Sequence, residues 1–284
     1  MTTPGAALSG GGASPPEEAR LNRQREPLPT DVASLPQLPA AYDAVLTAAL
    51  GVLGLPLMPE ARSAIDGHVR LLLAWNAAIN LTAITDPAEV ALRHVADSLA
   101  ATDAIRSGPH ATLLDLGSGG GYPGLPLAAV LPETRVLLVD STAKKVAFLD
   151  AARRALGLAV RVEVAAARAE SLRRPPGPVP GRDVGSGWDV VTARAVGPLA
   201  DLIELALPLL ATGGRLVAWK RGDISTELAA GARAAAALGG SMPVAELVPE
   251  ALGLAGHALV VVGRESPTPE GYPRDPGARK RRPW

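Results

Sequence analysis

The 284-residue chain contains no cysteine. This absence excludes a disulfide scaffold, a Cys-ligated zinc or iron–sulfur site and a thiolate nucleophile. Aromatic residues are also scarce, at 3% of the chain, so the core must be packed mainly with Ala, Val and Leu. Any site that stacks on a base or a ring can draw only on one Phe, four Trp and three Tyr.

The chain has no formal net charge, because 28 basic residues balance 28 acidic ones. A zero average argues against a uniformly basic nucleic-acid-binding protein. The distribution is uneven, however: residues 274–284 carry five basic residues and one acid, a net charge of +4, which leaves −4 on the other 273. We therefore expect any binding of nucleic acid to be local, through the tail and a few cleft residues, and sensitive to salt.

Long hydrophobic runs are missing as well. The longest, residues 45–58, is interrupted by Gly51, Gly54 and Pro56, and it is too short to span a bilayer. Residues 1–39 lack the apolar stretch of a signal peptide and contain seven prolines, so we expect a disordered tail there. With 48% hydrophobic and 20% charged residues, the chain is expected to be a globular cytoplasmic protein without a membrane segment.

The remaining sequence divides into three parts. Residues 40–107 form a predicted helical segment, with apolar side chains at three- and four-residue steps and a helix start at Asp86-Pro87. Residues 108–264 alternate β-prone and helical runs, which predicts an α/β fold with a doubly wound, Rossmann-like, mostly parallel sheet. Residues 265–284 form a basic C-terminal tail. The predicted strands are 112–116, 135–139, 160–164, 188–192, 215–219 and 258–262, and residues 173–187 are a predicted loop.

A glycine-rich loop follows the first predicted strand. Residues 115–124 read Asp-Leu-Gly-Ser-Gly-Gly-Gly-Tyr-Pro-Gly, at the edge of the sheet where such folds bind ligands. Gly119, Gly121 and Gly124 match the spacing of a dinucleotide fingerprint, so an NAD(P) oxidoreductase is one alternative. The pattern Asp-x-Gly-x-Gly-x-Gly that starts at Asp115 is instead typical of methyltransferases that use S-adenosyl-L-methionine (AdoMet). AdoMet has no phosphate and needs no pyrophosphate-binding helix N-terminus.

Six segments in order, the glycine-rich loop among them, resemble the RsmG (GidB) family from residue 72 to the end of the chain. They are residues 73–82 (Leu-Ala-Trp-Asn-Ala-Ala-Ile-Asn-Leu-Thr), 93–98 (Arg-His-Val-Ala-Asp-Ser), the loop 115–124, 140–149, 167–170 and 192–195. The resemblance implies a class I AdoMet-dependent methyltransferase fold preceded by a helical segment. It also implies methylation of N7 of a guanine, the family's guanine 527, in 16S rRNA of the small (30S) ribosomal subunit.

The resemblance also implies site residues. The implied cofactor contacts are Gly117 and Tyr122 in the loop, Asp140 at the ribose, Ala169 and Glu170 at the adenine, and Arg194 near the methionine end or the target base. The predicted RNA-binding residues are His94, Lys144, Lys145, Lys220 and Arg281. Asp97 is a further candidate for the RNA-facing side. Asp275 and Trp284 depart from the family's usual C-terminal residues, which leaves the contacts of the tail open.

The implied chemistry needs no general base. Guanine N7 carries a lone pair and no proton, so catalysis would consist of positioning and electrostatic help, and we predict no catalytic acid or base. The four histidines have no close pair in the sequence, and we predict no metal site. Methylation of a small molecule or a protein, and a non-catalytic ribosome-binding role, remain alternatives.

Overall fold

The structure, a computed structural model, describes residues 28–172, 187–194 and 196–284. Its described residues form a seven-stranded sheet in the order β3-β2-β1-β4-β5-β7-β6. The first five strands are parallel, and β7 and β6 are antiparallel to their neighbours. The strands are β1 (Thr112–Leu116), β2 (Arg135–Asp140), β3 (Val162–Ala166), β4 (Trp188–Arg194), β5 (Leu210–Arg221), β6 (Val244–Leu247) and β7 (His257–Gly263).

Helices cover both faces of this sheet. They are α1 (Ala40–Leu53), α2 (Pro59–Ile79), α3 (Pro87–Val90), α4 (Asp97–Leu99), α5 (Thr102–Arg106), α6 (Gly124–Val130), α7 (Ala143–Ala155), α8 (Leu199–Ala206), α9 (Ser225–Leu238) and α10 (Pro276–Arg281). A π-helical turn, Ala91–Ala96, joins α3 to α4. All five residues of β1 are buried, as expected of a central strand in a sheet covered on both faces. The predicted doubly wound α/β class is confirmed.

Two strand predictions need adjustment. The third strand begins at Val162 rather than residue 160, because Val160 lies in a turn with 94% of its surface exposed. Strand β6 was not predicted, since all four of its residues are exposed at the edge of the sheet and show no apolar alternation. Most of the predicted loop 173–187 lies outside the described residues.

The helical segment shares a core with the sheet. Tyr42 of α1 and Leu72 of α2 are buried in the same hydrophobic cluster as Leu125 of α6 and Phe148 of α7. The predicted start of α3 is also present, since Asp86 accepts a hydrogen bond from the Glu89 amide at 2.9 Å. The segment therefore holds its side chains at fixed positions beside the carboxyl ends of the central strands.

The expected disordered tail is corrected for residues 28–39. Residues 1–27 lie outside the described part, but Val32–Ser34 forms a 3-10 turn that Asp31 caps. Trp75 donates its indole N–H to the Pro29 carbonyl at 2.7 Å, and Arg70 donates to the Pro36 carbonyl at 2.8 Å. Apolar side chains between the prolines also pack on the core, which compensates for the cost of ordering the chain.

The C-terminal tail folds back onto α8. Asp275 caps α10 by accepting from the Ala278 amide at 2.9 Å. The backbone amide of Arg274 donates to fully buried Glu204 at 2.7 Å, and the indole of Trp284 donates to the same carboxylate at 2.6 Å. The guanidinium of Arg274 also forms an ion pair with Glu204 at 2.5 Å, so part of the tail's positive charge is paired inside the protein.

Candidate active site

The glycine loop is held between β1 and β2. Gly117, Gly119 and Gly121 all have positive φ, at 73°, 55° and 88°, which side chains other than glycine rarely adopt. Ser118 donates to the Asp115 carbonyl at 3.1 Å, and its hydroxyl accepts from the amide of Val139 at 3.1 Å. These bonds fix a tight turn directly after β1.

Asp115 occupies the N-terminus of α6. Its fully buried carboxylate accepts from the Gly124 amide at 3.2 Å and from the Thr192 hydroxyl at 2.8 Å. Burial raises the pKa of Asp115 to about 6. In a dinucleotide site the pyrophosphate sits at this helix N-terminus. Here the Asp115 carboxylate accepts from the N-terminus of α6 and would repel a pyrophosphate, so the loop favours AdoMet over NAD(P).

A cavity of about 440 Å³ opens at the carboxyl ends of β1, β2 and β3, and we call it the cofactor cavity. A Cβ added to Gly117 would lie 2.9 Å from Val196, so glycine keeps this wall open. Asp140 faces the cavity and accepts from the Gly119 amide at 3.1 Å and the Thr142 amide at 2.8 Å. Each carboxylate oxygen keeps a second lone pair for a ribose hydroxyl, so the residues fit AdoMet.

The outer wall of the cofactor cavity joins two distant parts of the chain. Ala169 and Glu170 line it from the 3-10 turn Ala169–Ser171, and Arg279 lines it from α10. Arg279 is buried and forms an ion pair with Glu170. Although burial opposes it, hydrogen bonds from its own backbone and from Arg279 hold the pKa of Glu170 below its usual value. Lys145 also lines the cavity, 3.8 Å from Asp140.

Tyr122 lies against two histidine rings and one arginine. Its buried ring contacts His68 and His94, with centroid distances of 4.5 and 4.7 Å, and the Arg194 guanidinium lies 5.3 Å from its centroid. Burial and the charge of Arg194 lower the pKa of His94 to about 4, so His94 is neutral at physiological pH. Tyr122 is not among the described residues that line the cofactor cavity, and its implied contact with AdoMet stays a prediction.

A second cavity of about 460 Å³ adjoins the first, and we call it the substrate cavity. The buried Asp97 is one of the residues that line it, and it accepts from Arg194 at 3.2 Å and from His257 at 2.9 Å. Trp219 donates its indole N–H to the Asp97 carbonyl at 2.8 Å. Gly197 lines both cavities. The described lining residues are Ile84, Arg93, His94, Asp97, Arg194, Gly197, Trp219, Lys220, Arg221 and His257.

The predicted residues thus divide between the two cavities. Arg194, an implied cofactor contact, lines the substrate cavity together with His94 and Lys220. Lys220 donates to the Gly197 carbonyl at 2.7 Å and to a Glu227 carboxylate at 2.6 Å. Lys144 and Arg281, two predicted RNA contacts, are exposed and are not among the described residues that line either cavity.

No sequence motif pointed to His257. It is an isolated histidine at the start of β7, and its partner Asp97 lies 160 positions earlier. His68 and His94 are far apart in the sequence, so their contact with the same tyrosine ring could not be predicted from it. Among the described residues, no three His, Asp or Glu side chains are placed to hold a metal ion. None of the described helices has both the length and the hydropathy to cross a membrane.

Comparison with known proteins identifies the family. Residues 62–246 match the sequence model of GidB, described as rRNA small subunit methyltransferase G. The chain belongs to the GidB family. It is 43% identical over 213 residues to ribosomal RNA small subunit methyltransferase G of Roseiflexus sp. (strain RS-1), which covers 75% of this chain and 87% of that protein. The match to the protein of that name from Bacillus subtilis (strain 168) is 34% over 237 residues, covering 84% and 96%.

The GidB resemblance drawn from the sequence motifs is therefore confirmed. Among solved structures, the S-adenosylmethionine-dependent methyltransferase SibL is similar over 80% of this chain and 77% of that chain, with 17% identity and a TM-score of 0.47.

Proposed function

We propose that this GidB protein transfers the methyl group of AdoMet to N7 of guanine 527 in 16S rRNA of the small ribosomal subunit, in the cytoplasm. Membership of a family described as rRNA small subunit methyltransferase G supports the reaction class. The names of its relatives support the ribosomal RNA as substrate. The predicted cofactor contacts and RNA contacts remain part of this proposal.

One observation carries the proposal: two cavities of different chemistry adjoin at Gly197. The cofactor cavity presents Asp140, a carboxylate that suits ribose hydroxyls. The substrate cavity is lined by four cationic side chains, from Arg93, Arg194, Lys220 and Arg221. Cations suit the phosphates that flank a base inserted into the cavity. A methyl donor and an acceptor nucleotide can therefore approach each other across this junction.

The residues of the chain act by positioning and by electrostatics. Bound AdoMet supplies an electrophilic methyl group, and guanine N7 has a lone pair with no proton to remove. His94 is held neutral by burial and by Arg194, so it adds no positive charge beside a base that becomes cationic. The Asp97 carboxylate offsets the charge of Arg194 and supplies negative charge to the substrate cavity.

The deciding experiment measures N7-methylguanosine in 16S rRNA. Deletion of the gene is expected to abolish the modification at guanine 527, and the wild-type gene is expected to restore it, whereas Arg194→Ala is not. Arg233→Ala is the matched control, because Arg233 is on α9 and donates to the carbonyl of the C-terminal Trp284, away from both cavities. Labelled methyl transfer to 30S subunits, naked rRNA, protein and small molecules identifies the substrate class. Unchanged methylation in the deletion strain would disprove the proposal.

A further inference from the structure

A histidine–carboxylate pair lies in the substrate cavity, although N7 methylation gives it no proton to remove. His257 Nδ1 lies 2.9 Å from Oδ1 of Asp97. An ionised carboxylate can only accept, so Nδ1 carries the proton, and in the neutral ring Nε2 has a free lone pair. His257 lines the cavity, and Nε2 has no hydrogen-bond partner among the described residues.

The other side-chain acceptors of the cavity are engaged or shielded. The second Asp97 oxygen accepts from Arg194 at 3.2 Å, and only 4% of the Asp97 side chain is exposed, so its remaining lone pairs are shielded from a ligand. His94 Nδ1 lies 3.3 Å from the same guanidinium. His94 Nε2 is paired with the hydroxyl of Thr82 at 2.7 Å. Arg and Lys side chains can only donate. Within the described part of the lining, Nε2 of His257 is therefore the side-chain acceptor that is open to a ligand.

We propose that His257 is a specificity-determining residue, whose Nε2 accepts a hydrogen bond from the Watson–Crick edge of the target guanine. Guanine presents two donors on that edge, N1–H and the 2-amino group. Adenine presents a lone pair at N1 and no 2-amino group, so it would leave Nε2 without a donor. A site built around such a bond rejects the base that lacks the donor. Asp97 is the positioning residue that fixes the ring and its tautomer.

This inference rests on the proposed function, and the test separates the two. Ribosomal subunits would be assembled with guanine, inosine or adenine at the methylated position, and methyl transfer would be measured in single turnover with enzyme in excess. The enzymes are the wild type, His257→Phe, His257→Gln and the control His110→Phe. The control changes a histidine on the loop before β1, whose Nε2 lies 3.0 Å from Glu133. AdoMet binding by calorimetry confirms that each variant is folded.

In His257→Phe the rate of methyl transfer to guanine is expected to fall about tenfold or more, because one hydrogen bond to the base is lost. The rate of transfer to adenine, which is already low, is expected to stay unchanged. The guanine-to-adenine ratio therefore contracts. His257→Gln, whose amide oxygen can accept, is expected to restore part of the ratio, and His110→Phe is expected to leave it unchanged. Inosine keeps N1–H and lacks the 2-amino group, so its response assigns the donor.

Two results would overturn the role of His257 while the proposed function stands. They are an unchanged transfer rate in His257→Phe, and equal losses on guanine and adenine, which would mark a merely structural residue. If the wild-type enzyme transfers no methyl group to the subunits that carry guanine at this position, the proposed function itself fails, and the role of His257 fails with it.

Discussion

The guanidinium of Arg194 lies 3.2 Å from the carboxylate of Asp97, and this ion pair joins the end of β4 to the helical segment. The same guanidinium donates to the Arg93 carbonyl at 3.1 Å and lies over the ring of Tyr122. Arg194 is thus the point at which the glycine loop, the sheet and the helical segment meet. The position of the substrate cavity depends on this contact.

Arg194→Lys is expected to lower kcat/KM for methyl transfer about a hundredfold, because an ammonium cannot donate as a planar fork to several acceptors at once. Arg194→Ala should also lower the free energy of unfolding by about 3 kcal/mol, since it leaves buried Asp97 without its arginine partner. Urea unfolding and single-turnover transfer measure the two effects. Wild-type activity in Arg194→Lys would contradict the first expectation.

The fold was largely predictable from the sequence, because continuous apolar strands and Gly-rich turns are local signals. Strand β1 has the predicted bounds, and the Asp86-Pro87 helix start is present. The substrate cavity was harder to predict, since Asp97, Arg194 and His257 come from three distant elements. The ion pair between Arg279 and Glu170 could not be predicted either, because a basic C-terminal sequence does not show which of its side chains are buried.

Asp140→Ala is expected to weaken AdoMet binding about 10- to 100-fold. The change removes an acceptor for the ribose and two hydrogen bonds, one from the Gly119 amide in the glycine loop and one from the Thr142 amide before α7. Isothermal titration calorimetry measures the dissociation constant. Asp103→Ala, an exposed aspartate on α5, is the matched control and should bind AdoMet as the wild type does. Equal affinity of the Asp140 and Asp103 variants would place the ribose elsewhere.

The contribution of His68 to the stability of the protein is expected to fall in mild acid. Burial lowers the pKa of His68 to about 4, below its ordinary value of 6.5. The unfolded chain therefore binds more protons than the folded protein between pH 6.5 and 4, so the free energy of unfolding decreases as the pH falls through this range. The contribution lost at pH 5 is about 2 kcal/mol.

His68→Gln tests this expectation, because an amide can still donate to the Gly120 carbonyl, which His68 Nε2 contacts at 2.7 Å. The variant should lose less stability than the wild type between pH 6.5 and pH 5. Urea unfolding at pH 8, where the histidine is neutral in both states, gives the cost of the substitution without titration. Parallel pH profiles for the two proteins would show that His68 does not titrate in this way.

Arg274→Ala is expected to lower the free energy of unfolding by about 3 kcal/mol, because it leaves the carboxylate of Glu204 buried and without its cation. Although burial opposes it, hydrogen bonds from Arg274 hold the pKa of Glu204 below its usual value. Thermal and urea unfolding measure the loss. Lys280→Ala is the control on the same tail, since its side chain is exposed, and it should unfold as the wild type does.

Arg281→Ala and Lys144→Ala are expected to weaken binding of the ribosomal substrate without changing AdoMet affinity. Both side chains are exposed, and neither is among the described residues that line the cofactor cavity or the substrate cavity. We therefore expect them to contact phosphates of the RNA. Each lost contact should raise the dissociation constant severalfold at low salt and reduce the slope of log K against log salt by about 0.7 to 0.9. Binding to 30S subunits at several salt concentrations measures that slope. An unchanged slope in Arg281→Ala would show that α10 faces away from the RNA, and the cations of the substrate cavity would then have to supply the contacts with phosphate.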